Sequence, residues 1–514
     1  MAPRASQPSL SPRERMAREK GTLHKEAPEC VALLYPSPYY VGMSSLGFQT
    51  IYRTINESAG RAAHRAFLPD DIDEALRLRG RFETYEGRRP LADYPIVATS
   101  VAYELELAGL VQSLDLAGIP ALARQRDDSH PFILCGGPLT FSNPLPLAPF
   151  ADAILMGEAD ETVHEALDIL FATASKDEAL EALAAQIPSC YVPSLHGDDM
   201  PPVGKCADEL LPARSAICTP DTELSDMFLI EPERGCHRGC SYCVMRRSTN
   251  GGMRTVDKER LFELVPEDVT KVGLVGAAVT DHPQIRDIID GLAARGHRVS
   301  LSSLRADRLK EPLVQSLKTG GYRSITTASD GASQRLRTMI QRRARDGELR
   351  KVAMLARKYK FERLKVYMMV GLPTETDEDI DELIEFSTEL SRIIPISLGI
   401  APFVAKRNTP LDGQSFAGID IVNQRLKRLR RGVKGRVDLR ATSARWAWVE
   451  YVLAQGGRAE GEAVLKAVQS GGRFRHWKNA FDALPADRPS RALVIPGDRL
   501  SRPAKAKKKL PLTG

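Results

Sequence analysis

Three cysteines lie close together in one short segment near the middle of the chain, and their spacing limits what the chain can fold around. Cys236, Cys240 and Cys243 follow the pattern C-x3-C-x2-C within Glu-Arg-Gly-Cys-His-Arg-Gly-Cys-Ser-Tyr-Cys. Thiolates are the soft ligands of iron–sulfur clusters, which normally take four of them. Three thiolates therefore predict a four-iron, four-sulfur cluster with one iron left open. An open iron can bind the amino and carboxylate groups of S-adenosylmethionine.

Two other interpretations of this segment are a zinc site and three buried structural cysteines. The zinc site would use His237 as its fourth ligand. Zinc sites usually pair their ligands as C-x2-4-C, with a second pair further along the chain. No second pair follows at such a spacing. We therefore favour the cluster.

The other five cysteines predict neither a disulfide framework nor a compact second metal site. In a long chain without secretion signals, cysteines more often serve metal or catalytic chemistry. Cys30 and Cys135 lie in apolar runs and are interpreted as core residues. Cys190, Cys206 and Cys218 are widely spaced. A second cluster built from these three is the weaker alternative, because their spacing matches no compact ligand loop.

Composition indicates a soluble protein of several domains. The 514 residues, 43% hydrophobic and 27% charged, leave room for about two to four domains. No apolar run is long enough to cross a bilayer, and the N-terminal segment lacks the apolar core of a signal peptide. We therefore expect a cytoplasmic protein with no membrane partner. The net charge of +6 comes mainly from the two ends of the chain, so it supports a nucleic-acid partner only weakly.

The first part of the chain predicts a Rossmann-like α/β domain. Residues 1–26 show no periodicity and are predicted to be disordered. Over residues 27–187 short apolar runs alternate with helical patterns, which indicates an open and mostly parallel sheet. Ligands of such sheets bind at the carboxyl ends of the strands. Residues 188–225 are rich in proline and are interpreted as a linker.

A strand–helix rhythm then repeats six times over residues 226–412. It predicts an incomplete (β/α)6 barrel of the TIM type, whose functional groups lie at the carboxyl ends of its strands. The cysteine segment follows the first of these strands. We expect a helical C-terminal region at 413–500 and a basic, disordered tail at 501–514. The predicted strands are Met227–Ile230, Lys271–Val275, Arg298–Leu304, Ser324–Ala328, Leu364–Val370 and Ile396–Ile400.

The cysteine segment, with the aromatic Tyr242 before its last cysteine, resembles the signature of the radical S-adenosylmethionine superfamily. The first domain resembles the cobalamin-binding-type domain of one large branch, on motifs within residues 35–47, 100–106 and 136–158. Many members supply a histidine to cobalt from an Asp-x-His-x-x-Gly motif, which does not occur here. Two alternatives stay open: cobalamin binds without a protein ligand to cobalt, or the domain has lost it and serves structure or substrate binding.

The resemblance also implies residues that hold S-adenosylmethionine. Relatives often have Gly-Gly-Glu after the second strand, where the glutamate meets the methionyl amine of S-adenosylmethionine. The segment that begins at Gly276 lacks this glutamate, so the resemblance implies that backbone carbonyls bind the amine instead. Ser302 and Arg305 close the third strand, where an arginine suits a carboxylate and surface solvation is the alternative. Asp330 stands where relatives carry glutamate, with a helix cap as its alternative role. Gly371, in the turn Gly-Leu-Pro-Thr-Glu-Thr, allows close approach of adenine.

The function implied by the resemblance is that of an enzyme. An external reductant of the flavodoxin or ferredoxin type gives one electron to the cluster, and S-adenosylmethionine is cleaved to a 5′-deoxyadenosyl radical that attacks a C–H bond of an unknown substrate. Cobalamin-dependent methyl transfer is the leading subclass. The alternatives are a methylthiotransferase acting on RNA or protein, and a non-catalytic iron–sulfur protein that binds RNA or a protein partner.

Two features of the C-terminal region bear on these alternatives. Residues 425–440 carry eight basic side chains and one acidic side chain. This run is weighed as a contact for RNA phosphates against a solvated helix face, and the solvated face is favoured. The large aromatic side chains of Trp446, Trp448, Tyr451 and Trp477 are expected to pack helices onto the barrel.

Overall fold

The computed structural model describes residues 10–78, 82–246, 252–302 and 304–485. They build an α/β structure with three hydrophobic cores. Two cores cover the two faces of an N-terminal sheet, and the third lies between the barrel strands and the helices around them. Among the helices of these ranges, none combines the length and apolar character that crossing a membrane requires.

The N-terminal sheet has six strands in the order β2-β1-β3-β4-β5-β6. All neighbours are parallel except β6, which runs antiparallel to β5. Successive residues of β1 face opposite cores: Ala32 and Leu34 face one, and Val31 and Leu33 face the other. This two-sided burial is typical of a doubly wound sheet and confirms the predicted α/β class. The strands are β1 Glu29–Tyr35, β2 Arg61–Phe67, β3 Ile96–Ser100, β4 Phe132–Gly136, β5 Ala153–Leu155 and β6 Cys190–Tyr191.

The barrel is built from two parallel sheets, and a bridge between described residues joins them. One sheet has the order β11-β10-β7 and the other the order β12-β13-β14-β15. The bridge pairs Leu304, just after β11, with Thr327 of β12. Between β7 and β10 the short strands β8 and β9 form an antiparallel hairpin. The strands are β7 Met227–Ile230, β8 Glu233–Gly235, β9 Met253–Thr255, β10 Lys271–Leu274, β11 Arg298–Leu301, β12 Ser324–Asp330, β13 Arg363–Val370, β14 Ile396–Pro402 and β15 Val437–Ala441.

Helices connect most of these strands. The helices are α1 Pro12–Met16, α2 Tyr39–Gly42, α3 Leu46–Glu57, α4 Ile72–Leu78, α5 Glu106–Ala117, α6 Thr162–Ala172, α7 Lys176–Gln186, α8 Pro193–His196, α9 Lys258–Leu264, α10 Ile285–Ala294, α11 Glu311–Thr319, α12 Gln334–Met339, α13 Asp346–Lys358, α14 Asp377–Ser391, α15 Ile419–Gly432, α16 Ala444–Gln455, α17 Arg458–Gln469 and α18 Phe474–Asp482. Because α9 to α15 run back alongside the barrel, the carboxyl ends of the parallel strands meet at one face.

The barrel extends beyond residue 412, where we predicted its end. All six predicted strands are present, and β15 adds a seventh by pairing in parallel with β14 over five residues. Helix α15 is the crossover between these two strands, so part of the basic run 425–440 is barrel wall. Strand β15 lies at the sheet edge with alternating half-buried and exposed residues, and its charged residues hide that alternation in the sequence.

The C-terminal helices pack mainly on the N-terminal domain, which corrects the expected packing on the barrel for Trp448 and Trp477, whereas Tyr451 does pack against the barrel core. Leu453 of α16, Val464 of α17 and Trp477 of α18 belong to the core on one face of that sheet. The side-chain amide of Asn143, in the loop between β4 and β5, lies within 2.8–3.2 Å of three carbonyl oxygens at the end of α16. The Leu453 carbonyl also accepts from the amide of Gly456, and the side chain of Asn143 supplies a further donor to this end of the helix.

The disorder predicted for residues 1–26 is wrong for residues 10–26. Ser11 caps α1, and both terminal nitrogens of Arg65 donate to the carboxylate of Glu19 at 2.8 Å. The side chains of this pair are fully buried. Buried ion pairs hold the segment, and such pairs leave no periodic signal in the sequence. Residues 1–9 lie outside the described residues.

Other predicted boundaries shift less. Strand β6, Cys190–Tyr191, belongs to the first sheet although we placed the linker from residue 188. The helical region predicted for 413–500 holds helices α15 to α18 together with strand β15. The basic tail predicted at 501–514 lies outside the described residues.

Candidate cofactor site

One cavity at the carboxyl face of the barrel is lined by all three cysteines. Cys240 is buried, while Cys236 and Cys243 are half-buried. The β8–β9 hairpin pairs residues 233–235 with residues 253–255 and so fixes the two ends of the cysteine segment. The other lining residues are Arg238, Tyr242, Met245, Ala277, Ala278, Ser302, Leu304, Arg305, Thr326, Thr327, Ala328, Arg342 and Tyr367.

The environment of the thiols fits a cationic metal cluster. Burial raises the pKa of Cys243 to about 11 and also raises the pKa of Cys236. Such thiols stay protonated at neutral pH unless a metal ion supplies positive charge. Within the described part of the chain, no three His, Cys, Asp or Glu side chains are grouped closely enough to hold a single metal ion. Three thiols around one cavity suit a cluster, in which each thiolate binds a different iron.

The zinc alternative with His237 does not fit this geometry. Nε2 of His237 lies 3.8 Å from Oδ2 of Asp281, and the imidazole is 44% exposed. The side chain of Asp281 is fully buried. Its carboxylate also forms ion pairs with Arg238, Arg305 and Arg308 at 2.7–3.2 Å. His237 therefore belongs to an ion-pair network beside the cavity.

Gly276 and Ser302, both predicted to bind S-adenosylmethionine, are hydrogen-bonded to each other. The Ser302 hydroxyl donates to the carbonyl of Gly276 at 3.0 Å and accepts from its amide at 3.1 Å. Ser302 lines the cavity, whereas Gly276 lies just behind its wall. The sequence interpretation missed Glu233, whose Oε1 accepts from the amide of Ala278 at 2.6 Å. A Cβ at Gly276 would lie 2.2 Å from that oxygen.

Glu233 is a buried acid at the start of β8, just before the cysteine segment enters the cavity. Its side chain has no exposed surface, and Oε2 has no hydrogen-bond partner. Burial raises its pKa to about 8. The carboxyl group is therefore mostly protonated at neutral pH, and its contact with Ala278 fixes the backbone of residues 276–278. The segment quoted for the cysteines already contained Glu233, but its role appears only in three dimensions.

Arg305 lines the cavity, but carboxylates already engage its guanidinium. Nη1 is 2.8 Å from Oδ2 of Asp281, and Nη2 is 2.6 Å from Oδ2 of Asp307. Burial alone would raise the pKa of Asp281, but the arginines around it lower that pKa overall. The residue predicted to meet a ligand carboxylate thus has protein carboxylates as partners.

Asp330 contacts the cysteine segment from the end of β12. Its Oδ2 accepts from the Tyr242 hydroxyl at 2.7 Å and lies 2.8 Å from Nε of Arg342. Ser333 accepts from the amide of Leu336 and so caps the following helix, which leaves no capping role for Asp330. Arg342, missed in the sequence, lines the cavity together with Cys240.

Gly371 lies apart from the cavity lining. It adopts φ +85°, which favours glycine, and its amide donates to Oε1 of Glu375 at 2.7 Å. Oε1 also accepts from Nη1 of Arg425 at 2.9 Å. A Cβ at Gly371 would meet Ala417 and Val422 at 3.2–3.3 Å. The turn is thus anchored to helix α15 through Glu375.

The structure separates the three cysteines considered for a second cluster. Cys190 packs in one core of the N-terminal domain, whereas Cys206 belongs to the barrel core. The Cys206 thiol lies 3.2 Å from Nη1 of Arg234. The backbone of Cys218 pairs with Lys20. The three residues therefore occupy different surroundings and form no common ligand set.

The carboxyl edge of the N-terminal sheet, where cobalamin would be expected, is crossed by ion pairs. Lys406 of the barrel lies 2.5 Å from Glu104 after β3, and Arg254 lies 2.5 Å from Glu158 after β5. His130 precedes β4 and so lies at the opposite edge of the sheet. The carboxyl edge presents charged partners from the barrel, and the segment between β4 and β5 contains no histidine that could bind cobalt.

Comparison with known proteins agrees with the fold. The family model "Radical SAM proteins, N-terminal" matches residues 47–193, and "Radical SAM superfamily" matches residues 230–387. The chain belongs to the radical SAM superfamily. Membership implies a four-iron, four-sulfur cluster and S-adenosylmethionine, and members generally need an external reductant.

The individual proteins that resemble this chain share between 11% and 27% of its aligned residues. An uncharacterized protein of Methanocaldococcus jannaschii is 26% identical over 399 residues, covering 75% of this chain and 80% of the relative. The ribosomal protein uS12 methylthiotransferase RimO of Geotalea uraniireducens is 27% identical over 264 residues; the match covers 46% of this chain and 55% of that enzyme. The apo structure of the cobalamin-dependent S-adenosylmethionine radical enzyme OxsB aligns with TM-score 0.50 and 11% identity, over 88% of this chain and 71% of that one. That likeness shows a shared fold.

Proposed function

We propose that this protein is a radical-generating enzyme that abstracts hydrogen from a carbon atom of its substrate. A cluster held by Cys236, Cys240 and Cys243 supplies the chemistry once S-adenosylmethionine is bound: one electron from a flavodoxin- or ferredoxin-type protein cleaves the sulfonium into methionine and a 5′-deoxyadenosyl radical. The radical takes one hydrogen atom, which gives 5′-deoxyadenosine and a substrate radical. The observation that supports the proposal best is that all three thiols line one cavity.

The protein's own residues would position the cosubstrate. Glu233 and Ser302 hold the backbone of residues 276–278, whose carbonyls suit the methionyl ammonium group in place of the missing glutamate. Tyr242 and Leu304 contribute bulk to the cavity wall. Apolar groups in the wall help to exclude water from a reactive radical and so limit side reactions.

The decisive experiment compares Cys240→Ala with Cys218→Ala after anaerobic reconstitution with iron and sulfide. Cys218 is a matched control, because it is a half-buried thiol outside the cavity. We expect Cys240→Ala to lose its brown colour, its iron and all 5′-deoxyadenosine formation with dithionite, and the control to keep them. Unchanged iron content in Cys240→Ala would overturn the proposal.

The same measurements test the alternatives. A non-catalytic iron–sulfur protein would hold the cluster but release no 5′-deoxyadenosine. Methylthio transfer, the activity named for the RimO relative, receives less support because Cys190, Cys206 and Cys218 form no second cluster site. Cobalamin-dependent methyl transfer also receives less support, because ion pairs cross the edge where the cofactor would bind. A cobalamin absorbance spectrum that persists after gel filtration would reinstate that subclass.

A further inference from the structure

We infer that the inner face of the sheet β12-β13-β14-β15 binds the substrate by an anionic group, a phosphate or a carboxylate, which Lys365 and Arg440 receive beside Tyr367. The inference rests on the proposed function and deepens it, because it names the chemical class of the substrate. The face adjoins the cysteine cavity. Tyr367 lines that cavity, and Lys365 lies two residues before it on the same strand.

Strand β13 has one apolar face and one mixed face. Its buried residues Leu364 and Val366 belong to the barrel core, which lies between the strands and the helices around them. Successive side chains of a strand point to opposite faces. Lys365 and Tyr367 therefore point away from the helices, to the inner side where the cavity lies.

Parallel pairing carries this inner face across the sheet to β15. One row of paired residues runs from Lys365 through β14 to Asp438, and the next row runs from Tyr367 to Arg440. Arg363 lies on the same face of β13, two residues before Lys365. The inner face of β13 and β15 thus carries three cationic side chains and one carboxylate, a balance that favours an anionic ligand.

Tyr367 provides a ring surface next to these cations. The residue is 52% exposed although it lines the cavity. A Cβ at Gly399, its partner on β14, would lie 2.5 Å from two atoms of the ring. The glycine therefore lets the ring lie close against β14. An exposed ring in this place can pack against an apolar or planar part of the substrate.

Lys365 is the cation of this face that lacks a protein counter-ion. Asp438 pairs with Arg440 at 3.1 Å and with Arg363 at 3.7 Å, whereas Lys365 forms no ion pair with any residue that the structure describes. A fully solvated lysine would need none, but Lys365 is half-buried. A charge held partly away from water is unfavourable without a partner, and an anionic group of the substrate would supply one. Arg440, whose side chain is 70% exposed, keeps donors for the same group.

The spacing along β13 indicates how the substrate would lie. Strand residues rise about 3.3 Å each, so Lys365 starts about 7 Å further from the carboxyl end of the strand than Tyr367. The reacting carbon must lie near the cosubstrate at the cysteine cavity, while the anionic group lies toward the amino end. The substrate is therefore an extended molecule with its reacting carbon and its anionic group at opposite ends.

The test labels the reconstituted protein anaerobically with pyridoxal 5′-phosphate, an aromatic aldehyde that carries a phosphate group. The aldehyde condenses with a lysine amine, and cyanoborohydride fixes the adduct for peptide mass spectrometry. Because clefts lined by one sign of charge concentrate counter-ions, we expect Lys365 to be labelled about tenfold faster than the exposed Lys427. Pyridoxal, which lacks the phosphate, should label both lysines at similar rates.

Two arginine variants separate a local site from overall charge. Arg440→Gln should slow the labelling of Lys365 by pyridoxal 5′-phosphate toward the rate seen with pyridoxal. Arg430→Gln removes the same charge from an exposed position on α15, outside the barrel strands, and should leave the rate in place. Equal rates in the two variants would overturn the inference.

Competing anions then identify the group that is bound. Stronger protection of Lys365 by inorganic phosphate than by acetate assigns a phosphate ester, and protection by acetate that is equal or stronger assigns a carboxylate. Equal labelling of Lys365 and Lys427 by pyridoxal 5′-phosphate, or labelling of Lys365 that neither anion slows, would overturn the inference. Because labelling needs neither a reductant nor S-adenosylmethionine, a protein that forms no 5′-deoxyadenosine loses the proposed function and leaves this result intact.

Discussion

The backbone amide of Leu411 donates a hydrogen bond of 3.1 Å to the carbonyl oxygen of Ser241. Ser241 lies between two residues of the cysteine segment, and Leu411 lies in the loop after β14. The same loop reaches the N-terminal domain, because the side-chain amide of Asn408 donates to the carbonyl of Ser142 at 2.6 Å. One loop thus connects the N-terminal domain to the segment that would hold the cluster.

Weakening that connection should loosen the cluster. Asn408 adopts φ +64°, and Asn408→Asp tolerates this conformation while replacing the donor that faces Ser142 with an acceptor. Losing a buried hydrogen bond costs about 1–3 kcal/mol, so we expect iron release to a chelator to become roughly tenfold faster. The exposed Asn423→Asp is the control. Equal release rates in the two variants would show that the loop does not support the cluster.

A methyl group at position 276 should disturb cosubstrate binding. In Gly276→Ala the new Cβ would lie 2.2 Å from Oε1 of Glu233, and overpacking of this kind costs about 1–3 kcal/mol. We expect the reconstituted protein to bind S-adenosylmethionine roughly tenfold more weakly in calorimetric titrations. Gly347→Ala is the matched control, because a Cβ there meets nothing within 4 Å. Wild-type affinity in Gly276→Ala would remove the 276–278 backbone from the proposed binding site.

The buried acid at Glu233 predicts a pH dependence of stability. Burial raises its pKa from 4.5 to about 8, so the folded protein binds a proton that the unfolded chain has lost. This contribution is fully present below pH 4.5 and is lost as the pH rises through about 8.

Glu233→Gln should remove this dependence, because the amide cannot ionise. In urea unfolding at pH 6 and pH 9, we expect the wild type to lose more free energy of unfolding than Glu233→Gln, by a difference on the order of 2 kcal/mol. The comparison between the two proteins cancels the titration of other groups. Parallel pH profiles would mean that Glu233 is ionised in the folded protein.

The ion pairs that cross the domain interface should matter for global stability. Nζ of Lys406 lies 2.5 Å from Glu104 and 2.7 Å from Glu450. Lys406→Met leaves these carboxylates without their cation, which typically costs about 3–5 kcal/mol for a buried pair. Thermal unfolding should show a clear decrease in melting temperature relative to the exposed Lys427→Met. Adding Glu104→Gln to Lys406→Met should recover part of the loss.

The cysteine segment and the six barrel strands could be predicted from local sequence patterns, because thiolate spacing and buried strand runs are properties of neighbouring residues. Strand β15 was not predicted, although its apolar residues Val437, Leu439 and Ala441 alternate with charged residues. The eight basic side chains of that region outweighed a period-two signal only five residues long. A test for alternation within charged runs would have found it.

Arg342 could not be found in this way. It lies about one hundred residues from Cys240 in the sequence, and only the folded segment after α12 brings the two to one cavity. The prediction for Asp330 named the right residue near the site, but the structure gives it protein partners, Tyr242 and Arg342. Contacts that form between distant segments depend on the completed fold and leave no mark on spacing or periodicity.

The packing of α16 to α18 against the first sheet has a consequence for how the chain is made. Residues 27–187 leave the ribosome early, yet one face of their sheet is covered by Leu453, Val464 and Trp477, which are synthesised last. Until then that face is covered only by elements of its own domain such as α5, so part of the apolar surface stays exposed, and Asn143 lacks the carbonyls it binds at the end of α16. A fragment that stops before residue 444 should therefore expose apolar surface when it leaves the ribosome. When the two halves are expressed separately, we expect the first domain to aggregate.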